Sequence, residues 1–254
     1  MTLRARAADL RDGLLDLVFA PVCAACGVPV PTTQAERLVC RVCWARAREL
    51  PAPRCGRCWA PLLPGRETGP RCPACVELPP ALRAVRSAFV MDGVVRHLVH
   101  ALKYRGWSAL ADPMGSRMAS LPFPRDVEEE ARLVVPVPTS RVRVRERGFD
   151  QAALLARAFA AGTGRTADAG LLLRTRDTAS QTALHPAERR ANVAHAFAVP
   201  PGRNSDLRGE HLLLVDDVWT TGATAVACAQ ALLEAGARVV SVATFARVHP
   251  ELDR

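Results

Sequence analysis

Two adjacent carboxylates, Asp216 and Asp217, follow the apolar run Leu212 to Val215 and precede a loop of small and hydroxylated residues, Thr220, Thr221, Gly222, Ala223 and Thr224. Such a loop can offer backbone N–H groups and hydroxyls to a phosphate at a helix N-terminus, with Gly222 permitting close approach. The paired acids can accept hydrogen bonds from sugar hydroxyls or help to hold a hydrated Mg²⁺. A second chemical group consists of eight cysteines in four CxxC pairs: Cys23/Cys26, Cys40/Cys43, Cys55/Cys58 and Cys72/Cys75. Two such knuckles complete a tetrahedral Cys₄ zinc site with no open coordination position, which is structural rather than catalytic. A third is a run of alternating arginines, Arg141, Arg143, Arg145 and Arg147, just after Thr139 and Ser140. In an extended loop a period of two places all four on one side, where their planar donors suit pyrophosphate oxygens; a solvated basic edge or a nucleic-acid patch is the other reading.

The elements that must position these groups follow from hydrophobic pattern. Leu212 to Val215 suits a strand buried on both faces of a parallel sheet, Thr224 to Ala235 a helix ending at Gly236, and Arg238 to Ala246 the next strand. This is a βαβ crossover, and ligands of such sheets bind beyond the carboxyl ends of the strands. Upstream, Arg83 to Val90 and Leu133 to Val137 read as strands, and Gly93 to Ala101 and Gln151 to Ala160 as helices. Lys103 and Arg105, in Leu102 to Gly106 (LKYRG), are either solvated or reach an anion near the site.

The cysteines form a tandem repeat, because each one from 23 to 43 recurs 32 residues later, as do Pro21 and Pro29 at Pro53 and Pro61. The matched repeat argues for zinc within each module, although spacing alone leaves a crossed pairing open. Large apolar side chains are scarce between 20 and 78, so zinc must supply much of the folding energy there. Cys228, among alanines, reads as a small buried residue. The expected division is an amphipathic helix over 1–19, a double zinc ribbon over 20–80 and an α/β domain over 81–254.

Composition sets wider limits. With 49% hydrophobic residues and 5% aromatic ones the chain can build a largely aliphatic core, and a net charge of +9 favours an anionic partner without choosing among them. No uninterrupted apolar stretch is long enough to cross a bilayer. Asp9, Arg11, Asp12 and Asp16 interrupt what would be the core of a signal peptide, so a cytoplasmic location is expected. Neither a GxxxxGK[ST] loop nor a GxGxxG after a strand is present.

The stretch VDDVWTTGAT, Val215 to Thr224, resembles the signature of the type I phosphoribosyltransferases, which bind 5-phosphoribosyl-1-pyrophosphate (PRPP). The resemblance implies a parallel sheet flanked by helices, with Asp216 and Asp217 on the ribose hydroxyls, residues 220–224 on the 5′-phosphate, and Mg²⁺ bound with PRPP. The order of CxxC knuckles, LKYRG, PVP followed by RGFDQ, the polar segment Arg174 to Phe197, and VDDVWTTGAT is similar to the ComF family, bacterial competence-associated proteins with a zinc region before a phosphoribosyltransferase domain. By that similarity Thr139, Ser140, Arg141, Arg143 and Arg147 belong to a pyrophosphate loop, and Arg174, Gln181, Arg189 and Asn192 to a loop that closes over the reacting centre. Two departures from the family pattern are Asp150, where asparagine is usual, and Thr139, where a bulky apolar residue is usual. Thr220 stands where 6-oxopurine enzymes carry an acid, which argues against that substrate class.

Two functions are thereby implied. One is a pentosyl transferase in which an acceptor displaces pyrophosphate from ribose C1. The other is a non-catalytic PRPP sensor whose ribbons bind single-stranded DNA or the DNA-uptake machinery.

Overall fold

The computed structural model describes residues 21–31, 34–62, 72, 75, 78–176, 195–249 and 252. Helix α1 (Arg41–Arg46) lies in the Cys-rich region, and then come β1 (Leu82–Val90), α2 (Gly93–Tyr104), α3 (Ala111–Ala119), α4 (Arg125–Glu130) and β2 (Leu133–Pro136). They are followed by α5 (Arg141–Arg147), α6 (Gln151–Thr163), β3 (Thr166–Ala167), β4 (Leu173–Arg174), β5 (Phe197–Ala198), β6 (His211–Trp219), α7 (Ala223–Glu234) and β7 (Val239–Arg247). The expected N-terminal helix over 1–19 falls outside the described residues.

The fold is the expected α/β one: a five-stranded sheet in the order β1-β7-β6-β2-β3, every pair parallel, flanked by helices and preceded by two Cys₄ clusters. A short antiparallel pair, β4 with β5, stands apart from it. The central strands are apolar on both sides because both sides are covered. Leu213 and Val215 of β6 pack with α2, α3 and α6 through Leu98, Leu102, Met114, Met118, Leu155 and Phe159. Leu212 and Leu214 face the opposite layer, with Cys228 and Leu232 of α7.

The ribbons join these layers instead of forming a core of their own. Cys23, Val30, Val39 and Cys43 of the first ribbon pack with the α2/α3/α6 layer. Cys55, Cys58, Ala60, Cys72 and Cys75 of the second pack with the α7 layer. Between them the chain runs along the outer edge of β1, where Val85 N–H donates to Arg57 O (2.9 Å) and Val90 N–H to Arg48 O (2.8 Å). An otherwise open sheet edge is thus covered. The sequence repeat is a structural repeat as well: Val22 bridges Pro29 as Arg54 bridges Pro61, and Cys23 N–H meets Val28 O as Cys55 N–H meets Ala60 O. The left-handed position in each turn is Gly27 (φ 72°) in the first ribbon but Trp59 (φ 63°) in the second.

Among the described glycines, Gly115 marks a close helix crossing, where α3 meets α6. A Cβ on Gly115 would sit 2.4 Å from Ala158 Cβ and 3.0 Å from the Phe159 nitrogen, so the crossing requires glycine. Gly115→Ala is expected to cost about 1–3 kcal/mol and to lower Tm by roughly 5 °C, as read by differential scanning fluorimetry.

Candidate functional site

Strand β6 is longer than its apolar run and carries both acids within it. Its pairing with β7 continues through Asp216↔Thr244 to Trp219↔Arg247, so the carboxylates are held by a ladder rather than by a loop. Alternation sends the two side chains to different sides of the strand. Asp217 lies on the α2 side, where its Oδ1 is 2.7 Å from Lys103 Nζ; the Asp217 side chain is 4% exposed and that of Lys103 21%. Asp217 Oδ2 is buried and has no hydrogen-bond partner among the described residues. Asp216 accepts the Asp217 N–H at Oδ1 (2.8 Å).

These contacts set the charges. Burial, reinforced by the charge of Asp217 and only partly offset by Lys103, pushes the Asp216 carboxyl up to about 8. Burial works against the Lys103 ammonium, but attraction and hydrogen bonding to Asp217, with a further contribution from Asp216, hold its pKa above the ordinary lysine value. Lys103 lies four residues after the buried Val99, on the inward face of α2, and that spacing is the sequence signal that places it at the site.

The loop after β6 is shaped by Trp219. Gly222 has φ +79°, and a Cβ there would lie 2.3 Å from Trp219 Cζ2, so both backbone and space exclude a side chain. Helix α7 begins at Ala223 with no side-chain cap; the Ala223 N–H donates weakly to Thr221 Oγ1 (3.4 Å). Thr220 and Thr221 are exposed, so their hydroxyls border an open helix N-terminus. Backbone donors at the positive end of the helix dipole, two carboxylates and an ammonium therefore converge at the carboxyl end of β6, an arrangement that can hold a phosphorylated, polyhydroxylated ligand.

Strand β2 pairs with β6 up to Pro136↔Val215, which releases the next segment beside the acids. The extended arginine loop expected there is instead helix α5, capped by Ser140, whose hydroxyl accepts the Arg143 N–H (3.3 Å). In a helix, spacings of two point to different sides, so the four arginines do not form one row. Arg143 pairs with Glu146 (3.6 Å), Arg145 donates to Arg141 O (3.4 Å), and Arg147 donates to Gln151 Oε1 (2.6 Å) while lying 5.3 Å from the Tyr104 ring. The two departures from the family pattern touch one another: Thr139 Oγ1 donates to Asp150 Oδ1 (2.9 Å), the same oxygen that caps α6 through the Ala152 and Ala153 N–H groups.

Arg174 ends β4 and stacks 5.4 Å from the Phe197 ring across the two-stranded ladder. Gln181, Arg189 and Asn192 lie outside the described residues. Cys228 is fully buried, and burial next to the charge of Asp216 raises its thiol well above the usual range, which leaves it inert.

Each ribbon brings its own four thiols together. Cys23, Cys26, Cys40 and Cys43 form one cluster and Cys55, Cys58, Cys72 and Cys75 the other, with all sulfurs in a cluster within 4.8 Å and none in a disulfide. A zinc tetrahedron of thiolates needs sulfurs about 3.8 Å apart. The pairs at 3.9 Å (Cys26/Cys40), 3.5 Å (Cys55/Cys75) and 3.4 Å (Cys58/Cys72) fit it, so pairing is within modules and not crossed. The second cluster is wholly buried, whereas Cys26 of the first is exposed.

Two outcomes follow from the acid pair and the loop. A carboxyl with a raised folded pKa is neutral in the folded state up to about pH 8 but ionises near pH 4 when unfolded, so its contribution to stability is lost as pH rises between those values. Asp216→Asn should leave Tm unchanged at pH 4 and raise it by roughly 5 °C at pH 8.5, measured by calorimetry across that range. Gly222→Ala should displace Trp219 and lower Tm by roughly 5 °C, read by differential scanning fluorimetry.

A double zinc ribbon family model matches residues 14–76. The DNA utilization protein YhgH of Salmonella typhi is 31% identical over 216 residues, covering 80% of this chain and 88% of that protein. The competence protein ComFC of Bacillus subtilis is 27% identical over 164 residues, covering 65% of this chain and 63% of that protein. Among solved structures, the glutamine PRPP amidotransferase of B. subtilis complexed with ADP and GMP aligns with 52% of this chain and 25% of its own, at 23% identity and a TM-score of 0.34. With four-fifths of its length matched to YhgH at 31% identity, and with a double zinc ribbon matched at its amino-terminal end, the chain belongs to the ComF family of competence and DNA utilization proteins.

Proposed function

We propose that this chain binds PRPP with Mg²⁺ and transfers its phosphoribosyl group to an acceptor nucleophile. The observation that carries this reading is the arrangement at the end of β6: a helix N-terminus entered through Gly222, following the Asp216/Asp217 pair and Lys103. Residues 220–224 hold the 5′-phosphate away from the reacting carbon, and this remote binding energy orients ribose C1. Asp216 and Asp217 accept hydrogen bonds from the ribose hydroxyls, for which the unpartnered Asp217 Oδ2 is available. Mg²⁺ supplies charge stabilisation for the departing pyrophosphate when bound. Lys103, an ammonium already at the acids, neutralises Asp217 before the ligand arrives and then stabilises the charge of the departing pyrophosphate. Thr139, Ser140 and the first turn of α5, released beside the acids by β2, form the pyrophosphate side. In the reaction the C1–oxygen bond to pyrophosphate breaks with its electron pair leaving on oxygen, and a ring nitrogen of the acceptor forms the new bond to C1.

The test is to incubate the zinc-loaded protein with Mg²⁺, PRPP and a panel of nitrogenous bases and to follow pyrophosphate by ³¹P NMR. Release that depends on one acceptor supports the transferase. PRPP binding without release from any acceptor would replace it with a PRPP-responsive binding protein, in keeping with the DNA-related names of its relatives. Asp216→Asn/Asp217→Asn should weaken PRPP binding by about tenfold or more, and unchanged affinity would remove the site assignment. Lys103→Met should lower kcat by about 10–100-fold with a smaller effect on PRPP affinity.

A further inference from the structure

The second ribbon is gripped by the sheet through three consecutive carbonyls of its first knuckle. Arg86 of β1 donates to Gly56 O (2.9 Å) and Arg57 O (3.1 Å), and Arg247 of β7 donates to Cys58 O (2.6 Å). Both arginines are buried. Cys58 is itself one of the four clustered thiols that would hold zinc, so the carbonyl that Arg247 holds belongs to a residue the metal would fix. The Arg247 guanidinium also lies over the Trp219 ring, 5.5 Å away, and the two residues are direct register partners on β7 and β6. The Trp219 ring in turn occupies the space where a Cβ of Gly222 would be, at 2.3–2.9 Å, and so sets how residues 220–224 enter α7. Val248 N–H also donates to Trp219 O (2.9 Å), which ties the segment after Arg247 to the same strand end. An unbroken line of contacts thus runs from the second zinc knuckle through one buried guanidinium to the hinge of the phosphate loop. The first ribbon packs in the α2/α3/α6 layer and is not part of this line.

We infer that Arg247 is a positioning residue that couples metal occupancy of the second ribbon to the geometry of the phosphate loop, so that ligand in the loop and zinc in that ribbon strengthen each other's binding. The coupling rests on the assignment of residues 220–224 as the PRPP phosphate site, and linkage makes it reciprocal: if zinc favours the loop's binding form, PRPP must slow zinc loss. The zinc-loaded full chain is challenged with a chelator and pulsed with an alkylating reagent, and peptide mapping reads each ribbon's cysteines separately. PRPP with Mg²⁺ should slow modification of Cys55, Cys58, Cys72 and Cys75 by about fivefold or more and leave Cys23, Cys26, Cys40 and Cys43 unchanged. In Arg247→Met, with two zinc ions still bound, this protection should vanish; a merely structural arginine would lower Tm and leave the protection in place. Protection as large in Arg247→Met as in the unmodified chain, or none in the unmodified chain although calorimetry shows PRPP bound, overturns the coupling. If calorimetry shows no PRPP binding, the PRPP reading fails on its own, and hydrogen exchange of amides 219–226 before and after zinc removal decides the coupling. That exchange should rise about tenfold when the second zinc leaves, and an unchanged rate overturns it. The same measurement on the unmodified chain serves if Arg247→Met does not fold.

Discussion

A buried guanidinium that gives its hydrogen bonds to backbone carbonyls fixes two pieces of chain at once, because neither the charge nor the carbonyl can turn elsewhere without loss. Arg86 and Arg247 do this for the second ribbon, and the strand edge of β1 depends on it. Burial lowers the Arg86 pKa to about 10, which still leaves it charged at neutral pH. Arg57 works in the opposite direction, reaching from the ribbon to Leu82 O (3.1 Å) and Pro79 O at the start of β1. The zinc region is therefore a wall of the sheet. A stretch with few large apolar residues is thereby held to the sheet: its cysteines complete cores whose other sides are helices.

The site reflects a balance between burial and charge. Two adjacent acids on a paired strand cannot both be comfortably ionised. The fold answers by giving Asp217 an ammonium and leaving Asp216 with a raised pKa. Such tension is acceptable where a ligand's hydroxyls or a hydrated cation later complete the environment, and it would be a defect elsewhere. Gly222 is a second such local concession, since its backbone conformation and its contact with Trp219 both exclude a side chain.

Much of this was legible in residue pattern. The apolar runs, the acids followed by a small-residue loop, and the 32-residue cysteine repeat led to the parallel sheet, the helix N-terminus and the two clusters. What misled was the arginine alternation. A period of two reads as extended chain, but Ser140 at an N-cap and Gly148 at a left-handed C-cap bound a helix of seven residues, and those local caps outweigh the alternation. The reach of β6 through its polar residues was hidden because ladder pairing with β7, not side-chain polarity, determines where the strand ends. Lys103 could be placed only by following the buried face of α2 one turn further, and the Thr139–Asp150 contact joins residues eleven apart that no short-range pattern connects.

The thiol clusters also alter the electrostatic character of the whole molecule. The formal net charge of +9 counts every cysteine as neutral. A zinc ion bound by four thiolates carries two net negative charges, so filling both clusters removes four units of positive charge from the chain. The two deductions fall in different places, one beside the buried Arg86 and Arg247 and one next to the solvent-exposed Cys26. Long-range attraction to polyanions is thus weaker for the metal-filled protein than its composition suggests, and it depends on how many ions the chain carries.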